Sequence, residues 1–407
     1  MKSFWNTFSA APHRVFFFSG AIQLILPMLI WSVELIGRYT EIWQPINSIF
    51  PVTWAHSFIM IYGVFIFFIF GFLMTVFPRW MNAPLISKDD YISVFLWLNT
   101  GLIIFEISLF NSRSSALSGL GIFIFGWCYA IYTLYKCYKN APPQNKRYEL
   151  VLLSALSAGV FGAACYAGWI FNDDWRLLEL ATNIGMWLFL LPVLFTVSHR
   201  MLPFFSSNVI SNYKVFQPGL SLWLLLSASL GHFLLEYFKQ QHWLFITDIS
   251  IASIALLHSI RWQLLKSFKD RLLAVLHMAF FWLFIGMTLF SLQSLLLLIN
   301  GDYVLNKAPL HAITIGFFTS MLIAMASRVT MGHSGRMLHL DKISWYLFLG
   351  IQLTAILRIL SEIQFNNLLE SHIFNLLAAL LWLISLSIWF IKYAPMYLSR
   401  RVDGKDG

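Results

Sequence analysis

The sequence predicts an all-α membrane protein, a polytopic bundle of about twelve transmembrane helices. Of the 407 residues, 59% are hydrophobic and only 11% are charged, whereas soluble domains carry about 25% charged residues. The mean hydropathy is +0.72, and apolar windows long enough to cross a bilayer recur along the chain. This composition excludes a soluble enzyme and a disordered chain, and it predicts a single integral membrane domain over residues 1–407.

A bilayer core of about 30 Å needs about 20 apolar residues per helix. Windows of that length predict spans at 15–37, 54–77, 91–111, 115–137, 148–171, 176–198, 218–238, 243–262, 271–293, 310–331, 342–361 and 371–393. Two spans depart from the common pattern. The fourth follows the third after a very short turn, and the eighth contains Asp248 and Ser250.

The basic residues indicate how the spans are oriented. Counting Lys and Arg on alternate sides of the predicted spans gives 21 on one side and 5 on the other, with Arg358 inside a span. Cytoplasmic loops carry the excess of Lys and Arg, so we expect both termini in the cytoplasm. These residues then face anionic lipid, and the net charge of +9 predicts no nucleic-acid partner. The basic first fourteen residues precede a run long enough to span, so we expect no cleavable signal peptide.

Histidine is the ionisable residue that this chain places inside its spans, where polar groups usually mark a function. His56 and His311 lie near the outer ends of the second and tenth spans, both roughly 3 Å below the same surface at 1.5 Å per residue. A haem iron takes two trans imidazoles. We therefore predict His56 and His311 as the ligands of one haem. The alternative for each is a hydrogen bond to a backbone carbonyl or a hydroxyl group.

Arg358 is the only arginine predicted to be buried in a span rather than placed at a span end or in a loop, and it lies near the outer end of the eleventh, at the level of His56 and His311. Because a haem needs a cation for its propionates, we predict that Arg358 pairs with one of them. The alternative is that its side chain extends to the membrane interface.

A second group of histidines lies towards the cytoplasmic side. His199 and His333 are at the inner ends of the sixth and tenth spans, and His277 is in the inner half of the ninth. Imidazoles suit copper or zinc, so these three residues are predicted as a secondary metal site. The second, sixth and tenth spans each end in an Arg, which hints at three four-helix units. His232 lies deeper, in the outer half of the seventh span, and the other histidines are interpreted as interfacial: His13, His242, His258, His339 and His372.

Several motifs resemble those of the NnrS family, in the same order along the whole chain. They are residues 56–63 (HSFIMIYG), 71–80 (GFLMTVFPRW), 198–205 (SHRMLPFF), 310–314 (LHAIT) and 332–336 (GHSGR), together with Leu276 and His277. The segments 71–80 and 332–336 are the most specific. The resemblance implies a bacterial inner-membrane protein that contains haem and copper and is linked to nitric oxide, nitrosative stress and denitrification.

A more distant resemblance is to the catalytic subunit of haem–copper oxidases. Residues 55–62 (AHSFIMIY) are similar to its helix 2, whose histidine binds the low-spin haem, and residues 191–199 (LPVLFTVSH) look like the end of its helix 6. Twelve spans with both termini inside also fit this architecture. The resemblance implies that His56 and His311 hold a low-spin haem b.

The binuclear centre of that oxidase family is not matched. Asn183 and Trp187 stand where a copper-ligand His and a Tyr precede the Leu-Pro pair of helix 6. Only His232 lies near the position of an adjacent His pair, and Pro309 replaces the first residue of a His-x-His motif that ends at His311. The low-spin site is therefore expected to be kept and the binuclear centre lost, so neither an oxidase nor a full nitric oxide reductase is predicted.

The leading hypothesis is a membrane haem protein that handles nitric oxide or its iron adducts. It would pass electrons from a donor that the sequence does not identify, or sense a ligand, with NO or nitrosyl species and membrane lipid as partners. The alternative is a transporter or exporter of a metal, haem or a nitrosyl species, because a bundle with buried His and Arg suits that function too. A third hypothesis is a structural partner in an assembly.

Overall fold

The computed structural model describes residues 2–363 and 371–404, which form helices with no β-strand among them. Twelve of these helices are long and apolar enough to cross a membrane, so the protein is a multi-pass helical bundle. In chain order they are α1 (Pro12–Tyr39), α2 (Val52–Met81), α3 (Lys88–Ser108), α4 (Arg113–Asn140), α5 (Arg147–Asn172), α6 (Trp175–Ser207), α7 (Gly219–Tyr237), α8 (Gln241–Arg261), α9 (Arg271–Asn300), α10 (Ala308–His333), α11 (Lys342–Leu360) and α12 (Ser371–Leu398).

Each predicted span coincides with one helix, so the predicted fold class is confirmed, including the fourth and eighth spans. The orientation of the termini and the single membrane domain stay predictions, and Lys405, counted with the basic residues above, lies outside the described residues. The differences lie at the helix ends. For example, α2 continues to Met81 and ends where Asn82 adopts a left-handed φ of 50°, a conformation that commonly ends helices.

Helix α1 is interrupted at Leu24 and Ile25, which separate the segments Pro12–Gln23 and Leu26–Tyr39. Pro27 near the start of the second segment has no N–H group to continue the hydrogen-bond ladder. A short helix, Lys2–Phe8, precedes α1 and was not predicted.

Three helices contain a π-helical segment, namely α2 (Ile59–Val64), α6 (Ile184–Leu190) and α10 (Ala312–Thr319). They are four apart in the chain, and they are the same three whose spans end in an Arg. They are also the most buried: 89%, 78% and 78% of their central windows are buried, against at most 61% in the other nine. Segments of π-helix are rare and are frequently found at functional sites. This shared feature supports the hint of three four-helix units.

The described chain divides into two compact units. Unit 1 comprises residues 1–193, 329–336 and 390–407, and unit 2 comprises residues 194–328 and 337–389. Along the chain, the boundaries between the units fall within α6, near the end of α10 and within α12.

The core of unit 1 is aromatic and forms around the π-helical segments of α2 and α6. The Tyr62 hydroxyl donates to the carbonyl oxygen of Ala181 at 2.5 Å, and the Tyr62 ring stacks on Phe189. A Cβ atom at Gly185 would lie 2.4 Å from Ile61. Only glycine lets these two π-helical segments approach so closely.

In unit 2, two consecutive side-chain hydrogen bonds connect three helices beside the π-helical segment of α10. Trp282 of α9 donates through Nε1 to Oε1 of Gln352 on α11 at 2.6 Å. The amide of Gln352 donates in turn to the Ser320 hydroxyl of α10 at 2.7 Å. All three side chains are at least nine-tenths buried, so these bonds satisfy groups that would otherwise be costly to bury.

Candidate functional site

His311 ends the first helical turn of α10, and the π-helical segment begins at the next residue. Its Nδ1 atom lies 2.9 Å from the carbonyl oxygen of Lys307. Because a carbonyl oxygen only accepts, Nδ1 must carry the proton, and the lone pair of a neutral ring is then on Nε2. Histidine ligands of metals are commonly held in this way, since the second nitrogen fixes the tautomer and the ring orientation.

Arg358 lies in the last turn of α11 and is ion-paired. Its Nη2 atom is 2.5 Å from Oε1 of Glu362, and both side chains are 16% exposed. The other carboxylate oxygen of Glu362 accepts from the backbone N–H of Lys307 at 3.3 Å. Lys307 is also the residue whose carbonyl group holds His311. The structure thus brings two predicted site residues, Arg358 and His311, to the same end of α10 within unit 2.

His56 lies in unit 1, one turn before the π-helical segment of α2. Its ring stacks on Trp31 of α1, with 4.3 Å between centroids and 15° between planes. The guanidinium of Arg38 lies 5.2 Å from the same Trp31 ring and pairs with Glu34 at 2.6 Å. His56 is therefore a half-buried imidazole held by an aromatic plane.

His199 is joined to His258, which is not among the site residues that the sequence predicts. The Ser221 hydroxyl lies 3.2 Å from Nε2 of His199 and 3.0 Å from Nε2 of His258. The sequence predicts an interfacial position for His258, whereas the structure encloses it with no exposed surface, as it does His199. Nδ1 of His258 is 2.8 Å from the carbonyl oxygen of Ile254. One signal was available in the sequence: both histidines fall at the same predicted end of their spans.

His277, the second predicted copper ligand, is buried in α9. Its Nε2 atom lies 2.9 Å from the hydroxyl group of Ser206, which has no exposed surface. Next to Ser206, the ring of Phe205 is covered by the guanidinium of Arg328, 4.0 Å from the ring centroid. Arg328, near the end of the tenth span, therefore packs against an aromatic ring in the protein interior.

His333, the third predicted copper ligand, lies in unit 1 against His13, with 4.5 Å between ring centroids. The sequence predicts an interfacial position for His13, but only 2% of it is exposed. Three guanidinium groups act electrostatically on both rings: Arg14, Arg79 and Arg401. Positive charges oppose the binding of a metal cation, so of the three predicted copper ligands His333 has the least favourable surroundings.

No group of three or more His, Cys, Asp or Glu side chains that could hold a metal ion occurs within residues 2–363 and 371–404. His199, His277 and His333 each have a different polar or aromatic neighbour, as described above. Their joint role as copper ligands stays a prediction.

His232 and Asp248 form a buried pair between α7 and α8. Nδ1 of His232 lies 2.5 Å from Oδ1 of Asp248, and neither side chain is exposed. The second carboxylate oxygen of Asp248 has no hydrogen-bond partner among the described residues. The ring of Phe290 packs edge-on against His232, with 5.5 Å between centroids. A buried ionisable pair of this kind, enclosed by apolar side chains, is a second candidate site.

Comparison with known protein families gives a match that covers nearly the whole chain. A family model described as NnrS protein matches residues 7–401. None of the curated proteins matches the chain.

Proposed function

Because the chain belongs to the NnrS family, we propose that it is a bacterial inner-membrane haem b protein of the nitric oxide response, in which His56 and His311 would hold the haem iron. Membership links the chain to the nitric oxide response and, in general, to haem and metal binding. The axial ligands, the haem type and the role of Arg358 are the parts that we add.

The observation that carries the proposal is the hydrogen bond from Nδ1 of His311 to the Lys307 carbonyl, at 2.9 Å. It fixes the tautomer whose Nε2 lone pair can bind iron. His56 supports the proposal in a different way. Its ring is oriented by stacking on Trp31, and like His311 it comes just before a π-helical segment. The surroundings of both imidazoles therefore fit haem ligation.

His56 and His311 would hold the haem iron through two imidazoles, so the resting protein is expected to be low-spin. The bound haem would supply one-electron redox chemistry and an iron that binds NO. The protein's part is to hold the two rings and to balance the propionate charges. Arg358 fits that second role because its planar fork can hold a carboxylate in a bidentate manner. Glu362 already occupies part of that fork, so a propionate would share Arg358 with Glu362 or displace it.

The test is the absorption spectrum of the purified protein and of single variants. We expect a reducible haem b band in the wild-type protein, and loss of the low-spin spectrum in His56→Ala and in His311→Ala. His372→Ala is the matched control and should keep the spectrum, because His372 is not a proposed ligand. The proposal fails if either ligand variant, folded in the membrane, keeps the wild-type bis-imidazole spectrum.

A second candidate function, a transporter or exporter of a metal, haem or a nitrosyl species, is favoured by the buried pair of His232 and Asp248. Ionisable pairs enclosed within a membrane bundle are typical of substrate and proton pathways. The spectrum separates the two functions, because a colourless protein with normal folding would favour transport.

The proposal also includes a secondary site for copper, formed by His199, His277 and His333. His199 and His277 are buried imidazoles of unit 2, each with its Nε2 atom facing a serine hydroxyl at 3.2 and 2.9 Å. Imidazole is a ligand that copper prefers. The third predicted ligand, His333, has three guanidinium groups acting on it, which disfavour a cation there.

A further inference from the structure

A cluster of basic side chains lies where the start of α1, the ends of α2 and α10 and the tail after α12 meet in unit 1. We define the basic cluster as His13, Arg14, Arg79, His333 and Arg401. It unites the two segments that are most specific in the sequence, since Arg79 belongs to residues 71–80 and His333 to residues 332–336. The haem proposal uses none of these residues, and among them only His333 was predicted as a copper ligand.

The cluster is held in place by main-chain contacts rather than by acidic partners. Nη1 of Arg14 donates to the carbonyl oxygens of Thr7, Tyr397 and Ser399 at 3.1, 3.1 and 2.8 Å. The backbone N–H of Val402 donates to the carbonyl oxygen of Ser334 at 3.1 Å. These bonds fix the position of the guanidinium without neutralising its charge.

Negative charge is scarce in the cluster. Asp403 pairs with Arg401 through both carboxylate oxygens, at 2.9 and 2.6 Å. Arg14 and Arg79 form no ion pair with any described residue. Among the described residues Asp403 is thus the one carboxylate ion-paired with the cluster, and it pairs with Arg401 alone, so the three guanidinium groups leave an excess of positive charge.

Two buried nitrogen atoms of the cluster have no hydrogen-bond partner within the described chain. They are Nδ1 of His13 and Nε of Arg14, and each of these residues is only 2% exposed. The guanidinium Nε always carries a proton, so Arg14 presents a buried donor without an acceptor. Such groups are rare because leaving them unpaired is costly, and a bound ion or water often accounts for them.

We infer that the basic cluster is a binding site for a phosphate-type oxyanion. The oxygen atoms of the anion would accept from Arg14 Nε and from Arg79, whose side chain is exposed, and would balance the charge. Arginine forks suit phosphate geometry. The same chemistry could come from a phospholipid headgroup or from soluble phosphate, and the experiment has one arm for each source.

The experiment uses the full-length protein purified in detergent, with thermal stability as the readout. The first arm titrates inorganic phosphate against chloride at constant ionic strength. The second arm compares nanodiscs of phosphatidylcholine with and without phosphatidylglycerol. Three variants are measured in both arms: Arg79→Ala, His13→Phe, which keeps the shape of a buried ring, and Arg261→Ala, the control at an exposed span end outside the cluster.

We expect saturable stabilisation of the wild-type protein in one of the arms, and that arm identifies the source. Arg79→Ala should weaken it about tenfold or more, the effect of losing one charge-assisted hydrogen bond. His13→Phe should weaken it as well, and Arg261→Ala should leave it unchanged. Because Arg79 is exposed, Arg79→Ala should fold, and its response to phosphate and to phosphatidylglycerol is the decisive test of the binding site. The inference is overturned if Arg79→Ala responds to phosphate and to phosphatidylglycerol exactly as the wild-type protein does, or if the wild-type protein responds to neither.

Discussion

Asp248 of α8 lies 2.5 Å from the imidazole of His232 on α7, and neither side chain has any exposed surface. This pair explains why the eighth span departs from the common hydropathy pattern and still forms a helix that could cross the membrane. The polar residue that weakens the hydropathy signal is satisfied by a partner on the neighbouring helix. In a membrane, such a partner is required because no water is available to the carboxylate.

The first prediction concerns this pair. Removing one partner from a buried ion pair typically costs about 3–5 kcal/mol, because the other is left uncompensated, whereas replacing both by apolar residues is often nearly neutral. We therefore expect Asp248→Leu or His232→Phe alone to lower the free energy of unfolding by that order. The double variant should recover most of the loss. Thermal denaturation of the purified protein measures both effects.

Ser250→Leu is the control for this prediction, since Ser250 is exposed on the same helix and should tolerate an apolar residue. The prediction is wrong if the double variant is no more stable than the single variants. The two side chains would then not compensate each other, and other polar groups must satisfy them.

The twelve spans could be predicted because a hydropathy window reports length and apolarity, the two properties that a bilayer demands. The partners of the histidines could not. The link from His199 through Ser221 to His258 joins residues of three helices, and hydropathy carries no information on which helices are neighbours. The π-helical segments were also beyond prediction, because they depend on close packing such as that between Gly185 and Ile61.

The burial of His13 could not be predicted from the sequence for a similar reason. Because His13 lies near the start of a span, the sequence predicts that it lies at the membrane interface. In the structure it is covered by His333 and by Phe17. His333 comes from the end of α10, so only tertiary structure could show that His13 is enclosed.

A second prediction tests copper. If His199, His277 and His333 bind it, changing His277 and His333 together to Ala should remove the copper from purified, folded protein. Elemental analysis of iron and copper per chain measures the result, and the iron content serves as the internal control. Unchanged copper would exclude this site and direct the search to His232. A copper loss in His277→Ala but not in His333→Ala would agree with the unfavourable charge around His333.

A third prediction concerns topology. The split of 21 to 5 basic residues predicts cytoplasmic termini. A reporter fused to Gly407, which lies outside the described residues, should therefore be active only in its cytoplasmic form. A reporter inserted after Glu41, in the loop between α1 and α2, should report the periplasm. Periplasmic activity of the Gly407 fusion would contradict the predicted orientation.

A fourth prediction uses the pair of Arg358 and Glu362. Positive charge near a haem favours the reduced state, and negative charge favours the oxidised state. If Arg358 pairs with a propionate, Arg358→Ala should weaken haem retention or lower the midpoint potential, without preventing membrane insertion. Glu362→Gln should raise the potential, because it removes the carboxylate that competes for the guanidinium at 2.5 Å. The expected shifts are on the order of tens of millivolts.

A redox titration followed by the absorption spectrum measures these shifts. Arg176→Ala is the charge control, because that arginine is 93% exposed and only loosely paired with Asp174, so its removal should leave the potential unchanged. The sign separates the proposed role from a structural one. A packing defect caused by breaking the ion pair would move Arg358→Ala and Glu362→Gln in the same direction, whereas electrostatic coupling to the haem moves them in opposite directions. Shifts of the same sign would therefore leave Arg358 as the partner of Glu362 and assign the propionate to another cation.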